Sequence, residues 1–443
     1  MKIKVSESTR GRGYWKLNNS LLFDTLYQES IIKLVAKIRL EYENVNSQLK
    51  WEMCKIKIRE FTQKFSKQKQ KIKKQYFSKL EQDLIVINKK VDEEPTEKNI
   101  QELRRIKINL EKLYKDKCRG IFVRSREKWI EEGEKSTKYF LNLETQNAKK
   151  KEISAVLKND KVIVDDKGIL EEIFLYYKKL YHSEKRSNPN EYLQNLNFVT
   201  LEENDSLSCE GILTEKESFE ALLSMHNNKS PGSDGLSTEF YKTFWVHIKD
   251  LMLDSLNEGY RTGKLSDSQK HSVLTLLFKK GDKRNLDNWR PISLLNIDYK
   301  IATRALAKRL QNVIPELISF DQMGFIKKRS ASENIRLVQD LLDFCSHENL
   351  PSIFLFLDFK KAFDNVDHNF LFEILKRYNF GKSFIQWIKT IYNHADCKVL
   401  NNGWLSKTLS ISKGVRQGCP LSALLFILVV EILAMKIRNN KKN

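Results

Sequence analysis

The sequence predicts an α+β protein in which long helices precede a part where strands and helices are interspersed. Apolar residues recur every three or four positions through much of residues 21–144, which is the period of an amphipathic helix. From residue 229 onward, short runs rich in β-branched and aromatic residues alternate with helical segments and with loops that contain Gly and Pro. Strands and helices mixed in this way are typical of an α+β domain.

The composition indicates a basic protein with more than one domain. The chain has 443 residues, of which 41% are hydrophobic, and this length suggests two or three domains. Its 78 basic and 57 acidic residues give a net charge of +21. A charge this positive favours a polyanionic partner such as nucleic acid or an anionic membrane surface. On charge alone, a basic protein without a specific partner stays an open alternative.

The cysteines and the apolar runs predict an intracellular protein, nuclear or cytoplasmic. The six cysteines are scattered, with no C-x-x-C pair and no histidine pair at zinc spacing, so we expect reduced thiols and no structural zinc. Residues 1–9 lack the apolar stretch of a signal peptide. The apolar run at 421–434 is shorter than the ~20 residues of a membrane span and contains Glu431. It predicts a buried helix and no membrane partner.

The N-terminal part is predicted to form two antiparallel helices. Pro95, inside the segment 92–96, breaks the helical pattern, because proline does not fit a helix interior. Residues 64–74 are very rich in lysine. They are either a solvated helix face or a surface that contacts a phosphate backbone, which requires only a high density of positive charge.

Beyond residue 150 the pattern predicts a succession of shorter elements. The predicted helices are 171–181, one starting after Thr214 with Glu217 in a capping box, 298–313, 332–344, 370–378, 383–392 and one from about Pro420. The predicted strands are those of a hairpin in 154–164, 273–278, 352–357, 398–400 and 404–411, and the polar segment 183–190 is a candidate linker. Asn402–Gly403 is a strong signal for a hairpin turn.

A carboxylate at the end of a predicted buried strand is the most informative feature. Residues 354–357 are apolar and are followed by Asp358. An ionised carboxylate is costly to bury without a partner, and a metal ion is one partner that stabilises it. The alternative is that Asp358 caps the turn before the next helix. Asp364 and Asp367, further along, are predicted to be turn and N-cap residues.

Two further motifs are suited to nucleotide binding. In residues 414–422, Gly418 allows close approach of the backbone to a ligand, and Gln417 offers an amide next to a predicted helix start. The alternative for this motif is a simple helix-capping loop. Lys279, Lys280 and Arg290 flank a predicted turn, and basic residues placed so can clamp a triphosphate.

The order and spacing of these motifs closely resemble those of the polymerase encoded by non-LTR (LINE-type) retrotransposons. The matching pieces are residues 230–235 (SPGSDG), 288–294 (NWRPISL), 322–325 (QMGF) with Arg329–Ser330, 333–335 (ENI), 358–368 and 416–422 (RQGCPLS). Upstream, residues 11–18 look like the joint that follows the family's endonuclease domain. Residues 126–140 are similar to a segment that precedes the polymerase.

The resemblance implies a polymerase of the right-hand type, of which this chain holds the fingers and part of the palm. The domains expected are a tail at 1–20, an α-helical linker at 21–150, an N-terminal extension at 151–204, and fingers and palm at 205–443, with a core at about 259–443.

The same resemblance implies an RNA-directed DNA polymerase that uses template RNA, primer or target DNA, dNTPs, and Mg²⁺ or Mn²⁺. Asp358 and the carbonyl oxygen of Phe359 would bind the metal, in a cleft near Gln417 and Gly418. Phe363 would exclude ribonucleotides by crowding the 2′ position. The other expected contacts are Lys280, Arg290, Gln417 and Gly418 with the nucleotide, and Lys279, Arg329 and Arg416 with the template.

One motif of the family is missing from this sequence. An aromatic-x-Asp-Asp hairpin is expected shortly after Ile437, and the Asp165–Asp166 pair lies far upstream of that position. We therefore expect the chain to be a piece of a longer protein that polymerises poorly by itself. Two alternatives stay open, a catalytically dead nucleic-acid-binding remnant of the same element and a helical scaffold protein.

Overall fold

The structure, a computed structural model, describes residues 10–125, 152–183 and 188–440. These residues belong to two compact units, one of Met1–Lys57 with Ser154–Asn443 and one of Ile58–Ile153. The motif predicted at 126–140 and part of the linker predicted at 183–190 lie outside the described residues.

Helices account for most of the described residues. They are α1 (Thr25–Glu41), α2 (Ser47–Glu93), α3 (Glu97–Ser125), α4 (Asp166–Leu180), α5 (Pro189–Leu193), α6 (Glu203–Ser208), α7 (Glu215–Leu223), α8 (Thr238–Thr262), α9 (Asp267–Lys270), α10 (Ile297–Leu317), α11 (Ala331–His347), α12 (His368–Arg377), α13 (Lys382–Tyr392) and α14 (Ser422–Asn439). Short 3-10 helices span Asn19–Phe23, Leu286–Asn288 and Phe363–Asn365. The strands are β1 (Val156–Lys158), β2 (Lys161–Ile163), β3 (His271–Phe278), β4 (Trp289–Leu295), β5 (Asp396–Asn401), β6 (Trp404–Leu405) and β7 (Leu409–Ser410).

The smaller unit contains most of α2 together with α3. The break between these helices falls at 94–96, as Pro95 predicts. Leu80 and Ile87 of α2 pack with Ile106 and Leu110 of α3 in a small apolar core. The predicted pair of helices is confirmed, since apolar residues at helical spacing bury one face of each helix.

The larger unit contains a mixed five-stranded sheet in the order β4-β3-β5-β6, with β7 also paired to β5. β3 is antiparallel to β4 and parallel to β5. The return from β3 to β5 passes through α10 to α13, because parallel strands require a long connection. The prediction of an α+β fold is confirmed.

Local turn and cap signals are confirmed in this unit. Asn402 and Gly403 have positive φ values, 45° and 79°, at the turn between β5 and β6. Thr214 and Glu217 form the predicted capping box at the start of α7. Asp367 accepts a hydrogen bond from the Phe370 N–H as the N-cap of α12. Each of these signals depends on a few neighbouring residues, which explains why the sequence is sufficient to predict them.

Residues 11–57 are part of the larger unit. The Gly11 N–H donates to the Asn402 carbonyl at 2.9 Å, and the Gly13 N–H donates to the Gly403 carbonyl at 2.8 Å. Leu17 N–H donates to the carbonyl of Gly235 at 2.9 Å. The compact units therefore divide the helical linker predicted at 21–150 after Lys57.

Replacement of Gly11 by Ala is expected to destabilise the larger unit by about 1–3 kcal/mol. A Cβ at this position would lie 2.4 Å from the carbonyl carbon and oxygen of Gly403, and backbone atoms cannot move aside cheaply. The measurement is the midpoint of denaturant unfolding. Gly324→Ala is the matched control, because its Cβ would meet only the Gln322 side chain at 3.5 Å. Equal midpoints for the two variants would contradict the prediction.

The prediction of a strand at 352–357 is wrong. The structure has no strand there, and Leu355 and Phe356 are 78% and 80% exposed. Apolar composition favours a strand, but a strand forms only when its N–H and C=O groups pair with a neighbouring strand. No described segment pairs with these residues.

The apolar run at 421–434 lies within α14, where Leu425, Leu428 and Ile432 are buried. Glu431 is buried as well and pairs with Arg438. In the described ranges, no helix is both long enough and apolar enough to span a membrane.

Candidate functional site

The turn at 360–367 lies against the loop at 414–418. The Gly414 N–H donates to the Val366 carbonyl at 2.7 Å, and the Val415 N–H donates to the Phe363 carbonyl at 2.8 Å. The structure therefore brings together two of the motifs that the sequence analysis identified, although about 50 residues separate them in the chain.

The loop at 414–418 also contacts β4. The Ser293 N–H donates to the Gln417 carbonyl at 2.8 Å. Gly418 has a φ of +110°, and a Cβ there would lie 2.8 Å from the Ser293 carbonyl oxygen. Both the conformation and the close approach require glycine at this position. Gln417 and Gly418 are thus fixed between β4 and the turn at 360–367.

Asp364 is a central residue that the sequence analysis underestimated. Its side chain is 2% exposed, whereas a turn residue is expected to be solvated. The Tyr181 hydroxyl donates to its Oδ1 at 3.2 Å, and the Gln417 Nε2 donates to its Oδ2 at 3.0 Å. Burial raises the pKa of Asp364 to about 6, although Tyr181, Lys361, Gln417 and Arg290 oppose that shift. No local pattern reveals this role, because the partners come from distant parts of the chain.

Phe363 is half-buried in an aromatic cluster. Its ring stacks on Phe426 of α14, with centroids 4.9 Å apart and an angle of 19° between the planes. The Phe359 ring lies edge-on to the Phe426 ring, with 6.5 Å between centroids. The centroid of the Phe325 ring lies 6.4 Å from that of Phe363. These contacts limit how far the Phe363 ring can move.

Asp358 lies in the exposed segment that follows α11. It makes no hydrogen bond or ion pair with any residue that the structure describes. The expectation of a strand end is not met, because the described residues form no strand at 352–357. Five residues further on, Phe363 and Asp364 do lie against the loop at 414–418.

The donors available at 358–359 are of the type that a hard cation prefers. Mg²⁺ is commonly bound by one or two carboxylates together with substrate phosphates and waters. Asp358 and the carbonyl oxygen of Phe359 fit that pattern as a partial ligand set. Across the described ranges, no group of three or more His, Cys, Asp or Glu side chains is placed to hold a metal ion. These residues therefore fit a metal only as part of a larger set of ligands.

The predicted basic residues of the β3–β4 hairpin are exposed. Lys279 and Lys280 follow β3, and Arg290 lies on β4 opposite Leu277. Arg290 is near enough to Asp364 to lower the pKa of that carboxyl group. The hairpin thus presents positive charge beside the turn at 360–367.

Two lysines that the sequence analysis did not select also lie here. Lys360 and Lys361 pair with Asp287 at 3.0 and 2.8 Å. The Lys361 ammonium also lies 4.2 Å from the ring centroid of Tyr176, whose hydroxyl donates to Asp287. The sequence feature that indicates a role for these lysines is their position directly after Asp358 and Phe359.

Arg416 is buried, and its expected contact with the template stays a prediction. Its guanidinium carbon lies 5.1 Å from the ring centroid of Tyr299, and its Nη2 donates to the Lys270 carbonyl. Local sequence does not reveal this burial, because Tyr299 and Lys270 come from other elements.

Arg329 has a structural role at the end of α10. Its guanidinium donates to the carbonyl oxygens of Pro315, Ile318, Ser319 and Gln322. The C-terminus of a helix presents unpaired carbonyls and a partial negative charge, which an arginine stabilises. Nη1 and Nη2 of Arg329 therefore donate within the protein, and the expected contact of Arg329 with the template stays a prediction.

Comparison with known proteins gives an independent indication of the family. Residues 278–443 match the family model described as "Reverse transcriptase (RNA-dependent DNA polymerase)". The chain is 32% identical over 437 residues to "Transposon TX1 uncharacterized 149 kDa protein" of Xenopus laevis, an alignment that covers 97% of this chain and 33% of the relative.

Other relatives match about half of the chain. One is the "Retrovirus-related Pol polyprotein from type-2 retrotransposable element R2DM" of Drosophila melanogaster, 28% identical over 50% of this chain and 20% of the relative. Another is the "Probable RNA-directed DNA polymerase from transposon BS" of the same organism, 27% identical over 48% and 24%. The chain thus spans one third or less of the length of these relatives.

Proposed function

We propose that this chain is part of an RNA-directed DNA polymerase of a non-LTR retrotransposon, because residues 278–443 match the reverse transcriptase family model and the order of the motifs resembles the LINE type. The observation that carries the proposal is the contact between the turn at 360–367 and the loop at 414–418. It joins the two motifs that the resemblance assigns to the incoming nucleotide. In this proposal, nicked target DNA primes the copying of template RNA.

We propose that the dNTP binds beside Gln417, Gly418 and Phe363. The half-buried Phe363 ring is held by Phe426, which suits a group that must exclude a 2′-hydroxyl by its position. The exposed side chains of Arg290 and Lys280 would contact the triphosphate, where guanidinium and ammonium groups form charge-assisted hydrogen bonds.

Asp358 and the carbonyl oxygen of Phe359 would hold part of the divalent metal set. When bound, such ions activate the attacking hydroxyl and stabilise the leaving phosphate oxygens. The resemblance carries this assignment; the exposed carboxylate of Asp358 is accessible to a cation and to a substrate. Asp364 is assigned no metal, because it is buried and its two oxygens are held by Tyr181 and Gln417.

The sheet with its flanking helices would form the fingers and part of the palm. This assignment is supported by the β3–β4 hairpin, whose basic residues adjoin the proposed nucleotide site. Lys279 at the end of β3 is exposed and remains the proposed template contact.

The lysine-rich part of α2 is proposed to contact the phosphate backbone of the template RNA. Residues 61–80 contain seven lysines and no acidic residue. All seven are exposed, and four of them recur at steps of three and four, which places them on one side of the helix: Lys64, Lys67, Lys71 and Lys74. We call these four residues the lysine stripe. Within four residues along the helix, the stripe has only Glu60 as an acidic neighbour, beside Lys64. Such a row of ammonium groups attracts phosphates without reading sequence.

Replacement of all four residues of the lysine stripe by Gln is expected to weaken RNA binding and its dependence on salt. The binding constant K falls as salt rises, and each lost phosphate contact makes the slope of log K against log salt shallower by about 0.7 for a single strand. The measurement is a titration of labelled RNA at several salt concentrations. Lys89, Lys90 and Lys98 are exposed lysines that have acidic neighbours, so their replacement by Gln is the control. Equal slopes for both variants would contradict the assignment.

Extension of a DNA primer on an RNA template, with dNTPs and Mg²⁺, tests the proposed function. The longest form of the protein that its gene encodes should be used, because the Xenopus laevis relative is about three times as long as this chain. Primer extension on the RNA template is the expected result.

A second candidate function is that of a nucleic-acid-binding remnant without catalysis. It is favoured by one observation, that the described side chains form no group of three potential metal ligands. Salt-dependent RNA binding without extension would support the remnant. The absence of both would overturn both candidates and favour a helical scaffold, which predicts oligomers by light scattering.

A further inference from the structure

The pair Asp364 and Gln417 has a property that the proposed function does not use. Gln417 donates through Nε2 to Oδ2 of Asp364 at 3.0 Å, and Asp364 is almost fully buried. The other carboxylate oxygen accepts from the Tyr181 hydroxyl at 3.2 Å. Both oxygens of the carboxylate therefore have donors, and the residue is held from two sides.

An amide side chain has two different ends. Its NH₂ group donates hydrogen bonds, its oxygen accepts them, and the terminal torsion of glutamine is only weakly restricted. An ionised carboxylate can only accept. It therefore selects the orientation in which Nε2 of Gln417 faces Asp364, and the oxygen Oε1 is directed elsewhere. A protonated carboxyl group carries a donor of its own and does not enforce this choice.

We infer that Asp364 is a positioning residue whose ionised carboxylate, held by Tyr181, fixes the orientation in which the Gln417 amide meets the incoming nucleotide. This inference rests on the proposed function, because it assigns Gln417 to the nucleotide site. It assigns no contact with substrate to Asp364 itself.

The charged and titratable groups around Asp364 come from several elements. Lys361 lies in its own turn, Arg290 on β4, and Tyr177 and Tyr181 on and directly after α4. Burial raises the pKa of Asp364 to about 6, and it raises the pKa of Tyr181, so that this hydroxyl stays a donor. The carboxylate is therefore ionised above about pH 6, where the amide is held, and protonated below it, where the constraint is lost.

Primer extension at varied dNTP concentration and pH tests the inference. In the wild type we expect KM for the dNTP to rise as pH falls through about 6. Asp364→Asn is expected to raise KM about tenfold at neutral pH, in the range of a lost hydrogen bond to a charged group, with a smaller effect on kcat and no step in KM near pH 6. Tyr181→Phe is expected to change KM in the same direction.

Tyr177→Phe is the matched control. Tyr177 stacks on Tyr181 at 6.0 Å between centroids, and its buried hydroxyl has no hydrogen-bond partner in the described part of the chain. Its KM and pH profile should equal those of the wild type. If Asp364→Asn folds and also keeps the wild-type KM and pH profile, the inference is overturned while the proposed function stands.

A second measurement does not depend on catalysis. The side-chain amide signals of ¹⁵N-glutamine, assigned to Gln417 by their loss in Gln417→Leu, should shift with a midpoint near pH 6 in the wild type. In Asp364→Asn they should not. A wild type that fails to extend any primer would reject the proposed function, and these signals would still decide the link between Asp364 and Gln417.

Discussion

Asp358→Asn is expected to reduce primer extension at least about a hundredfold. Loss of a group that only orients a metal ligand already lowers metal affinity or activity by about 10–100-fold. Asp358 is proposed as a ligand itself. The amide has nearly the same size but no charge, so it holds a divalent cation poorly. The affinity for Mn²⁺, measured by electron paramagnetic resonance, should fall in parallel.

The exposure of Asp358 makes this substitution informative. Exposed side chains without structural contacts usually change stability by no more than about 0.5 kcal/mol when replaced. The variant should therefore unfold at the wild-type midpoint and bind RNA normally. Asp343→Asn, at an exposed aspartate of α11, is the control and should keep full activity. Wild-type activity in Asp358→Asn would reject the assignment of the metal ligand.

The second large effect is expected on stability, at the buried pair of Lys55 and Asp298. Lys55 Nζ lies 3.0 Å from Oδ2 of Asp298, and the two side chains are 3% and 0% exposed. The Trp51 indole N–H donates to the same oxygen at 2.8 Å. Burial lowers the pKa of Lys55, but Asp298 and Glu52 outweigh it and raise that pKa, so the lysine stays charged.

Asp298→Ala should therefore destabilise the larger unit by about 3–5 kcal/mol, because it leaves the buried Lys55 cation without its main partner. Lys55→Met should have a similar cost. The double variant Lys55→Met with Asp298→Leu should recover much of the loss, since a buried ion pair replaced by apolar groups is often nearly neutral. Denaturant unfolding of the three variants measures the coupling between the two sites.

The exposed pair of Arg39 and Asp250 provides the control for this experiment. It also joins the N-terminal helices to α8, with 3.2 Å between nitrogen and oxygen, but its side chains are 37% and 52% exposed. Asp250→Ala should cost less than about 1 kcal/mol. If Asp298→Ala loses no more unfolding free energy than Asp250→Ala, burial does not control the strength of the contact between Lys55 and Asp298.

The correct and the wrong predictions differ in how far apart the interacting residues are. The turn at Asn402–Gly403, the capping box at Thr214 and the helix break at Pro95 each depend on a few adjacent residues, and all three are confirmed. The strand predicted at 352–357 depends on a partner strand that the described residues do not supply. The burial of Arg416 beside Tyr299 and Lys270 likewise depends on residues that are far away in the chain.

The sequence by itself predicted the α+β class and the motifs of the candidate site, because motif order and local hydrogen-bonding signals depend on adjacent residues. The tertiary structure decided which of those residues meet. It placed Asp364 between Tyr181 and Gln417, and it placed residues 11–57 within the larger unit. These outcomes depend on burial, and the burial of a charged group is set by elements far away in the chain.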